Sequence, residues 1–160
     1  MDAFVNPDVS LLDEVKMQAQ VLVPVLRALR VELGKERADQ LVTTALREWS
    51  RDLYARIGAA VPGTAKEKWS AMSAEMAPRL VGAIDMEMVR MEPDAMEFNI
   101  TGCRYADFFR RLGEPELGAV LLCEADEHVV AAVGPDVALT RTQTIMGGAA
   151  YCDFRYRMKD

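Results

Sequence analysis

The sequence predicts an α+β fold: N-terminal helices, then a hairpin, two helices and a second hairpin, forming a four-stranded antiparallel sheet covered by helices. Three observations lead to it. Apolar residues recur at helical spacing as far as Val81, they then alternate in period two on both sides of Pro93-Asp94, and helical spacing returns before a second pair of strand-like segments. One domain over 1–160 is expected, with a helical half at 8–82 and a motif-bearing α+β half at 83–158.

Leu11, Leu12, Val15, Ala19, Leu22, Val23, Leu26 and Leu29 lie on one face of the first expected helix. Asp8 or Ser10 can cap it, Pro24 is expected to kink or divide it, and Gly34 stops it. A second helix, from Lys35 to Ile57, repeats the period through Leu41, Val42, Ala45, Leu46, Trp49 and Leu53. Thr64 and Glu67 form a capping box for a third, which lines up Trp69, Met72 and Met76 and ends near Pro78.

Ile84, Met86 and Met88 alternate with acidic residues, as do Met96, Phe98 and Ile100 with polar ones, so a hairpin turns at Pro93-Asp94. Helices follow at Arg104 to Leu112 and Glu116 to Val133, separated by Gly113-Glu114-Pro115 and closed by Gly134-Pro135. The last two strands are Val137 to Ile145 and Tyr151 to Met158, linked through Met146-Gly147-Gly148.

Composition narrows the function. A chain of 160 residues, 51% hydrophobic, can bury a core without disulfides. Its three cysteines, an odd set with no CxxC spacing, suit reduced thiols. A net charge of -6 offers phosphate backbones no general attraction, which argues against nucleic acid as a partner. Apolar runs such as Val21 to Leu26 are too short to cross a bilayer, and the N-terminus has neither a basic leader nor an apolar signal core. No membrane partner and a cytoplasmic location are therefore expected. His128 is the only histidine, which excludes multi-histidine metal sites, and a surface pair with Glu124 is its simplest role. There is no GxSxG elbow, phosphate-binding glycine loop or HExxH. No cofactor or metal is expected.

Chemistry concentrates near the C-terminus. On the helix from Glu116, Cys123 shares a face with Asp126 and Glu127, so a thiol and a carboxylate can cooperate in proton transfer or nucleophilic attack. Cys103 stands at a strand-to-helix junction, where amides would lower its pKa. Either thiol could equally be core packing. In the strand from Val137, Arg141 and Gln143 point one way and Thr140, Thr142 and Thr144 the other. Arg141 can clamp a carboxylate and Gln143 can orient a ring nitrogen; the alternative is an exposed strand face paired with Asp153 or Arg155. Asp153, beside Cys152, is either a polar site residue or an ordinary solvated or turn-bonded aspartate.

The segments NITGCRYADFFRRLGEPELGAVLLCEAD and PDVALTRTQTIMGGAAYCDFRY resemble the C-terminal signature of the L-2-amino-thiazoline-4-carboxylic acid hydrolase family. The shared elements are Thr-x-Cys-x-Tyr-Ala, Gly-x-Pro-Glu-Leu, Cys-x-x-Asp, Leu-Thr-Arg-Thr-Gln-Thr and Cys-Asp-Phe, in that order. Two positions depart from it: Gly102, where a basic residue often precedes the first cysteine, and Tyr151, where histidine often precedes Cys-Asp-Phe. This chain then uses other residues for those tasks or handles a different molecule.

The resemblance implies a hydrolase that opens or deaminates a small heterocyclic substrate of cyclic amidine or imine type at a C–N bond. Candidate catalytic residues are Cys123, Asp126, Cys103 and Asp153; candidate substrate contacts are Arg141, Gln143, Thr142, Arg104, Tyr105, Tyr151 and Cys152. Two routes are open, thiolate attack by Cys123 or Cys103 with Asp126 moving protons, or direct attack by water with Asp126 or Asp153 as base. Helices with paired hairpins also resemble 4-vinyl reductase domains and vesicle-tethering complex subunits, so a non-catalytic small-molecule or lipid-binding module is the alternative. The long helices could also pair in a homodimer.

Overall fold

The computed structural model describes residues 9–159. Helix α1 (Leu11–Leu33) is capped by Ser10, whose hydroxyl accepts from the Asp13 amide; the alternative cap, Asp8, lies outside the described residues. Pro24 does not divide α1. Pro24 and Gln20 both face solvent, so the carbonyl that Pro24 leaves without a helical donor can be hydrated. Gly34, at φ 81°, turns the chain directly into α2 (Lys35–Ala60).

The buried stripe of α2 differs from the expected one. Ala38, Ser50 and Gly58 are inside while Leu41 and Trp49 are exposed, because small residues let α2 approach α1 and the later helices closely. Helix α3 (Ala65–Met76) carries the expected capping box, with the Thr64 amide 2.7 Å from the Glu67 carboxylate. Pro78 does not end the coil abruptly; it sits in a 3-10 turn (Ala77–Leu80).

Strands β1 (Ile84–Glu92) and β2 (Ala95–Cys103) form the first hairpin. Helix α4 (Arg104–Leu112) follows, then the short α5 (Pro115–Gly118), a π-helical segment (Ala119–Cys123) and α6 (Ala125–Val133). Strands β3 (Val137–Thr140) and β4 (Cys152–Met158) complete a sheet of order β1-β2-β4-β3 with every neighbour antiparallel. Two expectations change. The helix expected from Glu116 to Val133 is interrupted at Glu124, and the strand expected from Val137 to Ile145 stops at Thr140. Past Thr140, the Asp153 carboxylate takes the amides of Thr142 and Gln143, both at 2.9 Å, and so draws the chain out of the ladder.

The helices cover one face of the sheet, where Phe98, Ile100, Cys152, Phe154 and Tyr156 are buried and the Phe98 and Phe154 rings stack at 4.9 Å. Phe109 is fully buried, pressed against Gly118 at a point where a side chain on the glycine would meet the ring at 2.6 Å. Glu114 is also buried, and its carboxylate lies 2.8 Å from Arg30 and 3.3 Å from Arg27, fastening α1 to the α4–α5 junction.

Gly58→Ala is expected to lower stability by about 1–3 kcal/mol in urea unfolding, because the added methyl would lie 2.9 Å from the Ala132 carbonyl carbon of α6. A free helical site would gain about 1 kcal/mol from the same change, so the sign of the shift is the check. Glu114→Ala, which leaves Arg30 without this buried partner, should cost about 1–3 kcal/mol in the same measurement.

Candidate active site

The break between the π segment and α6 creates the first feature of the site. The Glu124 amide bonds back to the Ala119 carbonyl, while the Glu127 amide takes Glu124 instead of Cys123. The Cys123 carbonyl is thereby released from the helical ladder, and an Arg141 N–H donates to it at 2.7 Å. Such π-helical interruptions often serve functional sites. Glu124 itself is held by Arg47 in a two-point pair at 2.6 and 2.8 Å; His128 also lowers the Glu124 pKa, but its Nε2 is buried and finds no hydrogen-bond partner among the described residues.

Arg141 leaves β3 just where the ladder ends. Its side chain, 9% exposed, donates to the Asp126 carboxylate at 2.6 Å and lies over the Phe154 ring at 5.2 Å. A buried guanidinium needs acceptors and a polarisable face, and Asp126, the Cys123 carbonyl and Phe154 supply them. Cys123, Asp126 and Arg141 are thus brought together as the sequence suggested, although Arg141 reaches them from a loop and not from a polar strand face.

Protein packs closely around much of Asp126, and this desolvation pushes its pKa up to about 6 even though Arg141 pulls it down. Its side chain nevertheless keeps 35% of its surface open. A carboxylate that is poorly hydrated yet reachable is suited to exchange protons near neutrality. Burial also raises the hydroxyl pKa of Tyr156, with the Asp126 charge adding to the rise. Tyr54 on α2 is shifted the same way by the same causes.

The thiols behave differently from the expectation. Burial pushes Cys123 up to about 12, opposed by Arg141 and reinforced by Asp126 and the other two thiols. Cys103 does cap α4, accepting from the Ala106 amide at 3.4 Å, but burial outweighs that donor and its pKa is also raised. The Cys152 sulfur accepts from the Ile145 amide at 3.2 Å, and burial again prevails.

Asp153 is occupied by the loop after β3. Besides the two amides, its carboxylate takes the Thr142 hydroxyl at 2.7 Å. Burial raises its pKa, but these donors, led by the Thr142 hydroxyl, outweigh that and leave it below the ordinary value. Gln143 donates to the Tyr151 carbonyl at 3.0 Å, so it fastens the loop to the start of β4. The loop frames an open depression of 390 Å³ lined by Arg141, Thr142, Gln143, Thr144, Gly147 and Ala149. Arg141 is the residue common to this depression and to Asp126.

The remaining candidates lie elsewhere. Arg104 pairs with Asp85 above Gly102, and Tyr151 is exposed. Tyr105 is 5% exposed in the core, and its hydroxyl finds no partner among the described residues. The same is true of the Arg79 Nε, although Arg79 pairs with Glu14 of α1 through another nitrogen. Tyr105 feels the charges of Arg79 and Glu14, and so does Tyr54. Glu14, Tyr54 and Arg79 escaped the sequence reading because each sits in a helical segment with no motif; Phe154 was visible only as part of Cys-Asp-Phe. Among the described residues no group of three or more His, Cys, Asp or Glu is placed to hold a metal ion. No helix among the described residues is long and apolar enough to cross a membrane.

Solved structures similar to this chain include two of low sequence identity. The phenol-responsive sensory domain of the transcription activator PoxR, with phenol, is 15% identical at a TM-score of 0.44, covering 86% of this chain and 72% of that one. A trafficking protein particle complex subunit 3 from Naegleria fowleri, covalently bound to palmitic acid, is 11% identical at a TM-score of 0.40, with 91% and 97% covered. No curated protein matches the sequence. The family described as L-2-amino-thiazoline-4-carboxylic acid hydrolase matches residues 14–156, a span that includes the helical half as well as Cys123, Asp126 and Arg141. This chain belongs to the L-2-amino-thiazoline-4-carboxylic acid hydrolase family.

Proposed function

We propose that the protein hydrolyses a small cyclic amidine or imine at a C–N bond, with Asp126 as the proton-transfer group. The observation that carries this reading is the Asp126 carboxylate: raised to about 6 by burial, held by Arg141 at 2.6 Å, and still 35% open. The family name supports the substrate class.

Between the two routes, the thiol environment favours direct attack by water. A thiol with a pKa of about 12 is thiolate in only roughly one molecule in 100,000 at pH 7, whereas Asp126 is largely ionised there. Water adds its oxygen to the electrophilic ring carbon and gives a proton to Asp126. The C=N π electrons pass to nitrogen, which takes that proton. Asp126 then carries the proton of the added hydroxyl to the leaving nitrogen as the C–N σ bond breaks and the carbon keeps its oxygen as a carbonyl, so substrate and one water account for all atoms. Arg141 holds Asp126 in place, and together with Gln143 at the mouth it orients the substrate. Cys123 and Cys103 stay protonated and take no covalent part, Cys152 and Asp153 support the loop, and Thr142 lines the entrance.

The second reading is a binding module without turnover. It is favoured by the Tyr105 hydroxyl and the Arg79 Nε, buried donor atoms without an acceptor among the described residues, which suit a ligand carrying an acceptor oxygen.

A panel of cyclic amidines that includes 2-amino-thiazoline-4-carboxylate is expected to be hydrolysed, and Asp126→Asn should lower kcat/KM by about 10²–10⁴-fold. The base must be ionised, so kcat/KM should rise with pH through about 6 and level off above it. A bound but chemically unchanged ligand, with no turnover across the panel, would establish the binding module. Cys123→Ala should keep kcat/KM within about tenfold of the parent, and a loss as large as that of Asp126→Asn would restore the thiolate route.

A further inference from the structure

Strand β1 is an open edge of the sheet, paired among the described residues with β2 alone. An edge of nine residues presents a row of outward amides and carbonyls to any strand that approaches. Its side chains add to this. Met86, Met88, Val89 and Met91 are between 48% and 62% exposed, a concentration of large apolar groups on one strand.

The register with β2 fixes the face on which each side chain stands. Met86, Met88 and Met91 are opposite Ile100, Phe98 and Met96, on the core side of the sheet, while Glu87 and Arg90 are opposite Asn99 and Glu97 on the other. Strict alternation would place residues 86 and 91 on opposite faces. The shift between Met88 and Arg90, which leaves Val89 without a partner on β2, resets the alternation. Met86 and Met91 therefore share one face, and Glu87 and Arg90 share the other.

That reset makes β1 complementary to itself. Antiparallel pairing about a twofold axis between Met88 and Val89 sets Met86 against Met91 of the second copy, Met88 against Val89, and Glu87 against Arg90, each contact occurring twice. Glu87 has no ion-pair partner among the described residues, and Arg90 remains 44% exposed beside Glu92. Asp85 would face Glu92; Arg104 balances Asp85, and Arg90, between Glu92 and Glu97, is shared with the incoming Glu87.

We infer that β1 is the docking edge for a second copy of this chain, joining two four-stranded sheets into one continuous sheet. The site around Asp126 takes no part in it. Sedimentation of the full chain over a concentration series is expected to show a dimer. Glu87→Arg, which opposes like charges twice, should weaken the dimer at least about tenfold, and Glu87→Arg combined with Arg90→Glu should recover most of that loss. Met88→Lys, beside the axis, should weaken it comparably, and unchanged circular dichroism identifies the variants that remain folded. Amide exchange over 84–92 should slow with concentration in the parent and not in Glu87→Arg. A monomer at every concentration overturns the inference. So does a dimer indifferent to these variants with unprotected β1 amides, which would place the contact on the helices.

Discussion

Arg141 joins three pieces of chain that follow different rules. It emerges where β3 stops, reaches the interrupted helix through Asp126 and the Cys123 carbonyl, and rests on Phe154 of β4. Each contact answers the same requirement, that a charge taken out of water must be surrounded by acceptors and polarisable matter. The early end of β3, the π segment and the aromatic on β4 are then parts of one arrangement. Without the release of the Cys123 carbonyl the guanidinium would lose an acceptor, and without the loop it would not reach the helix.

The same desolvation acts on every titratable group nearby, but with different chemical results. It raises an aspartate into the range where protons exchange near neutral pH, and it raises thiols and phenols away from that range. One low-polarity environment thus brings the carboxylate's pKa toward neutrality and leaves the cysteines protonated. Asp153, with its backbone and hydroxyl donors, is ionised and fully engaged in shaping the loop.

Much of the architecture was legible in the residues. The period change near Val81, the Thr64–Glu67 box and the Pro93-Asp94 turn are local signals, and the elements form where they point. The exceptions have non-local causes. Trp49 fits a helical stripe, but the face that α2 buries was set by the close approach at Gly58. The residues from Arg141 to Ile145 alternate like a strand, yet a carboxylate from β4 captures their amides. At the site, the spacing of Cys123 and Asp126 was readable, whereas their pKa values depend on surroundings contributed by distant segments. Glu14, Tyr54 and Arg79 belong to that second kind: three helical segments bring them together, and no local pattern announces it.

Gly102 acquires a meaning beyond a departure from the family pattern. The space that a side chain there would enter is filled by the Asp85 carboxylate and, 3.2 Å from the ideal Cβ position, by an Arg104 nitrogen. The positive charge next to Cys103 is that of Arg104, on its helical side, and it has Asp85 as counter-ion. A side chain at 102 could enter only by displacing the Asp85–Arg104 pair, so positions 85, 102 and 104 form one sterically coupled set. A larger residue at 102 is therefore accommodated only together with a change at 85 or 104, and such a change leaves the Asp126–Arg141 contact untouched.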